Sequence, residues 1–292
     1  MSLCNIFRTI ICVALKENGA SQKNILALLS MSSALKETRT YYMQNNCIFK
    51  VKYDFFKKNF FRIRKLHLLN KVSSEINFHY LSFLKCDKFN YPINDFKKLK
   101  HFESNDFNQP INNFGQLKIF KCLRFNNAII SFYNLTHFIC DHFNQSLKSF
   151  GNLKHFECYR FDQPIENFQN LEIFKCSYFN QPVHSFNNLI SFECARFDQP
   201  ILNFGKLKRF ECDCFNQPIK NFGNLQHFES EEFDQKIVNF NNLKYFKSVQ
   251  FNQPVVSFNN LIHFCCENFD QPVESFGNLK YFECYDFDRE FF

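Results

Sequence analysis

The chain has 292 residues, of which 45% are hydrophobic, and it contains 44 Phe, 14 Cys and no Trp. Charged residues make up 22% and the formal net charge is +7, so the composition excludes a wholly disordered chain. No apolar run approaches the roughly 20 residues that a membrane-spanning helix needs.

Residues 1–50 contain no repeat and have the apolar spacing of a helix. Ile6, Ile10, Ile11 and Leu15 recur at helical intervals, and a second apolar run follows at residues 24–32. We therefore predict a small helical module over 1–50. It is either a cap that shields the first coil of the structure that follows, or a docking module for a partner.

Residues 51–88 form a basic segment that also holds degenerate repeats. Residues 1–70 carry 12 Lys and Arg against 3 Asp and Glu, so the positive charge of the chain is a property of its N-terminal part. Basic and aromatic residues together can contact nucleic acid. We interpret this segment instead as the solvated surface of a cap, and we do not expect a nucleic-acid partner. Phe78, Leu81, Leu84 and Cys86 mark a weak copy of the following unit.

Residues 89–292 form an array of 18-residue repeats. Phe recurs every 18 residues from Phe89 to Phe287, and two further series with the same interval bring the total to 35 of the 44 Phe. Numbered from the first Phe, the unit reads F-[ND]-Q-P-[IV]-x-[NS]-F-[GN]-N-L-x-x-F-x-C-x-x. A fixed period of this kind indicates a solenoid, in which stacked units bury the apolar side that one unit cannot bury alone.

Each position of the unit has an expected role. Positions 13 to 16 alternate in polarity and predict one short parallel strand per coil, while positions 1, 5, 8, 11 and 14 are expected to point inward. The Pro at position 4 suits a site outside the strand ladder. The Asn or Asp at position 2 is expected to bond turn backbone. The Gly or Asn at position 9 is expected to turn the chain through positive φ.

The unit resembles two kinds of known repeat over residues 71–292. Leu153, Phe156 and Cys158 illustrate an L-x-x-F-x-C frame that resembles the L-x-x-L-x-L frame of leucine-rich repeats. The F-[ND]-Q-P-[IV] element is similar to FNIP-type repeats of social amoebae and giant viruses, and to BspA-type bacterial surface repeats. Those families use about 22–25 residues per unit rather than 18. The resemblance implies a leucine-rich-repeat-like solenoid that binds other proteins.

FNIP-type arrays often follow an N-terminal F-box, which docks on the Skp adaptor of ubiquitin ligases. Residues 24–36 of this chain are similar to the second half of an F-box, whereas the usual Leu-Pro opening is absent. On this resemblance the adaptor-docking residues would be Ile25, Leu26, Leu28, Leu29, Met31 and Leu35.

Cysteine usage favours a reducing compartment. Nine of the 14 Cys lie at position 16, where Ser replaces Cys in three copies, so the site needs a small side chain rather than a disulfide. We interpret these residues as buried free thiols that act as small hydrophobes, and we expect a cytoplasmic or other intracellular location. The pairs Cys212/Cys214 and Cys265/Cys266 lack a partner pair at zinc spacing, so we predict no metal site.

The outward positions of the strand predict a protein-binding face. Position 13 often holds His and position 15 often holds Glu, and on a strand both point away from the core. His155 therefore cannot activate Cys158, and because no other catalytic pair or phosphate loop is recognisable we expect no enzymatic activity and no cofactor. The predicted face consists of His101, Glu103, His155, Glu157, Arg209, Glu211, His227, Tyr245, Tyr281 and Glu283.

Two functional hypotheses follow. The first is an intracellular protein-interaction solenoid, which could act as the substrate-recognition subunit of an F-box-type ubiquitin ligase through a Skp-type adaptor. The second is a secreted or surface-displayed adhesin of the BspA type. Both assign the array to protein binding, and they differ in redox compartment and in the role of residues 1–50.

Overall fold

A computed structural model describes residues 48–51, 64–69, 80–92, 97–111, 115–129, 132–147, 150–165, 168–183, 186–201, 204–219, 222–237, 240–255, 259–272 and 277–285. Within these ranges the chain forms β-strands and turns, with no helix. The predicted helical module over 1–50 lies outside the described residues, apart from its last three positions.

Fourteen short strands make up the regular structure, each of three or four residues. Their bounds are β1 Phe49–Val51, β2 Lys65–Leu68, β3 Phe83–Cys86, β4 His101–Ser104, β5 Ile119–Cys122, β6 His137–Ile139, β7 His155–Cys158, β8 Ile173–Cys176, β9 Ser191–Glu193, β10 Arg209–Glu211, β11 His227–Glu229, β12 Tyr245–Ser248, β13 His263–Cys266 and β14 Tyr281–Cys284. They form a single sheet in sequence order, β1 through β14.

Neighbouring strands are parallel and are offset by one repeat. Phe156 of β7 pairs with Phe174 of β8, which lies 18 residues later, and the same offset holds from β2 to β14. The first pair differs, since Phe49 pairs with Leu66. A constant offset stacks each position of the unit on its equivalent in the next coil. The prediction of a repeat solenoid with one short parallel strand per 18-residue coil is confirmed.

The core consists of stacked ladders of identical side chains. Position 14 is represented by Phe210 and Phe228, whose ring centroids are 5.5 Å apart at an interplanar angle of 10°. A second ladder, at position 1, runs beside it and includes Phe215. The ring of Phe215 meets that of Phe210 edge-on, with the centroids 4.8 Å apart. All three rings are fully buried. Each buried Phe contributes roughly 1.5–3 kcal/mol, and favourable ring geometry adds about 0.5–1.5 kcal/mol per pair.

The polar side chain at position 2 joins each coil to the next. The Oδ1 atom of Asn180 accepts hydrogen bonds from the backbone N–H of Asp198 at 2.9 Å and from Nε2 of Gln199 at 3.1 Å. The backbone bond to position 2 recurs coil by coil from Asn90 to Asn252. The expected role of position 2 is confirmed, and the same ladder explains why position 3 is usually Gln.

Asn and Asp alternate at position 2 from Asn144 to Asp270, so within this stretch no two carboxylates are adjacent. Both residues supply the same acceptor oxygen, as Asp198 does for the N–H of Asn216 at 3.0 Å. Strands stack about 4.8 Å apart, and like charges at that separation repel each other. Alternation therefore keeps the acceptor in every coil without building a column of negative charge.

A second amide ladder joins the Asn at position 10 to the backbone of position 9 in the preceding coil. The glycines at position 9 differ from the expectation. Nδ2 of Asn170 donates to the carbonyl oxygen of Gly151 in the preceding coil at 2.6 Å. Gly151 and Gly205 do not adopt positive φ, and nothing lies within 4 Å of where their Cβ atoms would be. For glycine the prediction that position 9 turns the chain through positive φ is therefore wrong. The turn also tolerates Tyr133 and Gln169 at this position.

The small residue at position 16 is a hydrogen-bond donor as well as a packing group. The thiol of Cys176 donates to the carbonyl oxygen of Phe161 at 3.2 Å, and the hydroxyl of Ser248 donates to that of Phe233 at 2.8 Å. Both side chains are buried. The residue at position 16 is therefore more than a small hydrophobe, because either Cys or Ser donates to the same backbone group. Burial raises the pKa of the Cys176 thiol to about 11.

We predict that replacing Asp198 by Ala destabilises the array by about 1–3 kcal/mol, because the N–H of Asn216 loses its acceptor. The matched change Asp198→Asn keeps the acceptor oxygen and should leave the free energy of unfolding nearly unchanged. Urea denaturation of the two variants measures this difference. Equal destabilisation by both variants would contradict the role assigned to the ladder.

Candidate functional site: the exposed face of the sheet

Positions 13 and 15 of successive coils form one continuous surface, called here the strand face. Their side chains are half-buried or exposed, while those at positions 14 and 16 of the same strands are buried, as in β8 and β13. The alternation follows from the pleat of a strand, which sends successive side chains to opposite sides. It also separates the thiol of Cys158, which is buried, from the imidazole of His155 on the face.

All ten residues of the predicted binding face lie on this surface, in two rows that run from β4 to β14. They do not form one compact site. His101 and Glu103 lie near one end, whereas Arg209, Glu211, His227 and Tyr245 come together on β10 to β12. Five further residues of the same two rows were not included in the predicted face: Lys175, Glu193, Glu229, Lys247 and His263.

An aromatic row crosses β11 to β14 at position 13. The rings of His227 and Tyr245 are stacked with centroids 4.3 Å apart at an interplanar angle of 1°. Tyr245 then meets His263 at 4.9 Å, and His263 meets Tyr281 at 5.7 Å. Tyr281 is 59% exposed, so this row presents an aromatic surface to solvent.

A chain of charged contacts runs beside it on β8 to β12. Nζ of Lys175 lies 2.6 Å from Glu193, and Arg209 contacts both Glu193 and Glu211. On the far side, Nζ of Lys247 lies 2.7 Å from Oε1 of Glu229. Each carboxylate of this group therefore has a basic neighbour on the adjacent strand or on its own strand.

His227 lies in the middle of this group. Its Nε2 atom is 2.9 Å from Oε1 of Glu211 and 3.7 Å from Oε2 of Glu229, but it is buried and makes no hydrogen bond in suitable geometry. Burial, reinforced by the positive charge of Arg209, lowers the pKa of His227 to about 4. Burial, together with the nearby carboxylates of Glu193 and Glu229, raises the pKa of Glu211.

A groove of about 340 Å³ runs along the C-terminal ends of strands β7 to β10. Its lining includes Glu157, Lys175 and Glu193, together with Ser177 and Ala195, which follow the strands. Acidic side chains outnumber the single lysine among its lining residues, so the groove carries a net negative charge.

The remaining predicted site lies outside the described residues. This applies to the adaptor-docking set Ile25, Leu26, Leu28, Leu29, Met31 and Leu35, and to most of the basic segment. The described part of the chain contains no helix with the length and hydrophobicity that a membrane span requires.

Comparisons with known proteins support the fold. No family model matches the chain, and no curated protein matches it in sequence. Among solved structures, the chain is similar to an internalin from Listeria monocytogenes strain 4b F2365, with a TM-score of 0.58 and 13% sequence identity. The similarity covers 78% of this chain and 82% of the internalin chain. The class of protein defined by the fold is therefore a leucine-rich-repeat-like solenoid.

Proposed function

We propose that the chain is a protein-interaction solenoid that binds its partner on the strand face. The observation that carries this proposal is the continuous double row of half-exposed charged and aromatic side chains on a single sheet. Solenoids use extended surfaces of this kind for binding. Tyr and Arg dominate the energetics of many interfaces, and this face carries Tyr245, Tyr281 and Arg209.

We further propose that residues 1–50 couple this face to a Skp-type adaptor, so that the chain acts as the substrate-recognition subunit of an F-box-type ubiquitin ligase. The support is the similarity of residues 24–36 to the second half of an F-box. In this arrangement the helical module holds the adaptor while the strand face selects the substrate. An intracellular location is part of the same proposal.

The first prediction concerns the strand face. The double variant Lys175→Glu with Arg209→Glu reverses two charges on the face, and its recovery of the partner in affinity capture should fall by about tenfold or more. The control variant Lys206→Glu with Lys236→Glu makes the same change in net charge at exposed positions away from the face. It should recover the partner as the unmodified chain does. Unchanged recovery by the face variant would contradict the assignment.

The second prediction concerns the adaptor. The full chain should retain a Skp-type adaptor in a pull-down, and the double variant Leu28→Asp with Leu29→Asp should lose it, because a docking helix binds through its apolar side. The change Lys23→Asp, at a neighbouring polar position, is the control and should keep binding. Failure of the unmodified chain to retain the adaptor would reduce the function to that of a scaffold.

The third prediction separates this proposal from a BspA-type adhesin. The eleven described cysteines are all free thiols, and eight of them are buried. Titration after unfolding without reductant should find all 14 thiols free, as expected in a reducing compartment. In the native protein the buried set should react slowly, because burial raises the pKa of each of these thiols. A large deficit of free thiols would favour the adhesin.

A further inference from the structure

Three potential metal ligands meet on adjacent strands in the middle of the strand face. Glu211 is the last residue of β10, and His227 and Glu229 are the first and last residues of β11. One ligand atom from each residue lies within 4.8 Å of the other two. They are called here the Glu-His-Glu cluster. The cysteine spacing of the sequence predicts no metal site, and this cluster contains no cysteine.

His227 directs a nitrogen into this cluster without using it for a hydrogen bond. Its Nε2 atom is buried and lies 2.9 Å from Glu211 and 3.7 Å from Glu229, yet neither oxygen is placed to accept from it. The ring is held by stacking on Tyr245 at 4.3 Å. An imidazole nitrogen that is fixed between two carboxylates has the donor type and position of a metal ligand.

Each carboxylate of the cluster has a basic neighbour, and the two neighbours differ in whether they compete with a cation. Lys247 contacts Oε1 of Glu229, so Oε2 remains directed at His227. Lys247 can then hold the carboxylate in place as an outer-shell partner does in known metal sites. Arg209 contacts Oε1 of Glu211, the same oxygen that faces His227, so a cation must displace the guanidinium from it. Oε1 of Glu193 lies 3.8 Å from Nε of Arg209 and offers the guanidinium a second carboxylate.

We propose that Glu211, His227 and Glu229 bind a zinc ion through two carboxylates and one imidazole. This ligand set is one that zinc accepts, and three protein ligands leave a fourth position open toward solvent or toward a bound partner. The site is independent of the protein-binding proposal, because it depends only on residues of this chain.

The chain contains a natural comparison for this cluster. His155 lies 3.2 Å from Oε2 of Glu157 on its own strand, just as His227 is near Glu229. The preceding strand, however, offers Ile139 in the register position of Glu211. His155 therefore has only part of the ligand set and should contribute little to zinc binding.

The test is a calorimetric zinc titration of the reduced full chain and four variants. The unmodified chain should bind one zinc ion at this site. The substitutions His227→Ala and Glu211→Gln should each lower the affinity for that ion by about tenfold or more. His155→Ala should bind as the unmodified chain does. Arg209→Met should bind more tightly, because it removes the cation that competes for Glu211. All variants retain every cysteine, so zinc bound by thiols is the same background in each titration.

Thermal melting separates loss of a ligand from loss of the fold. Without metal, the Glu211→Gln variant should melt near the unmodified chain, because it preserves the shape of the side chain at a surface position. With zinc, the unmodified chain should melt at a higher temperature and the variant should not, since a ligand that binds only the folded state stabilises it. Equal zinc affinity in the unmodified chain, His227→Ala and Glu211→Gln would overturn the proposal.

Discussion

The whole structure depends on identical side chains stacking in register from one coil to the next. Rings of the position 14 ladder, such as Phe210 and Phe228, overlap only if each coil contributes the same number of residues between strands. The position 2 ladder imposes the same requirement at another point of the coil, where Asn180 reaches the backbone of Asp198. Apolar and polar ladders therefore reinforce a single period, and the Phe-rich composition is a consequence of that period.

The same constraint produces the surface defined above as the strand face. Because the inward positions are fixed by the ladders, positions 13 and 15 are held in two continuous rows and are free to vary in chemistry. Arg209, His227, Tyr245 and His263 occupy equivalent places on four strands, yet one is a cation, one is an aromatic phenol and two are imidazoles. A uniform core thus supports a varied surface, which is the arrangement that partner recognition requires.

The sequence predicts most of the fold because the period is unbroken. The buried positions, the parallel strands and the acceptor role of position 2 follow from residue type and spacing alone. The donor role of Cys176 and the amide ladder of Asn170 were not predicted, since both act on backbone carbonyl groups that only the folded coil brings close. The Glu-His-Glu cluster was not predicted either, because its members come together only through the pairing of β10 with β11. A Glu at position 15 of one coil, followed by His at position 13 and Glu at position 15 of the next coil, is a sequence signal that could have identified it.

Deletion of one complete coil tests the central claim most directly. Removing residues 157–174 joins Phe156 to Lys175 and restores an unbroken unit, so cooperative unfolding should persist with a Tm within about 4 °C of the full chain. Removing residues 157–173 leaves one extra residue in the strand and slips the alternation by one, which should lower the Tm by about 10 °C or more. Equal melting of the two deletion variants would contradict the account.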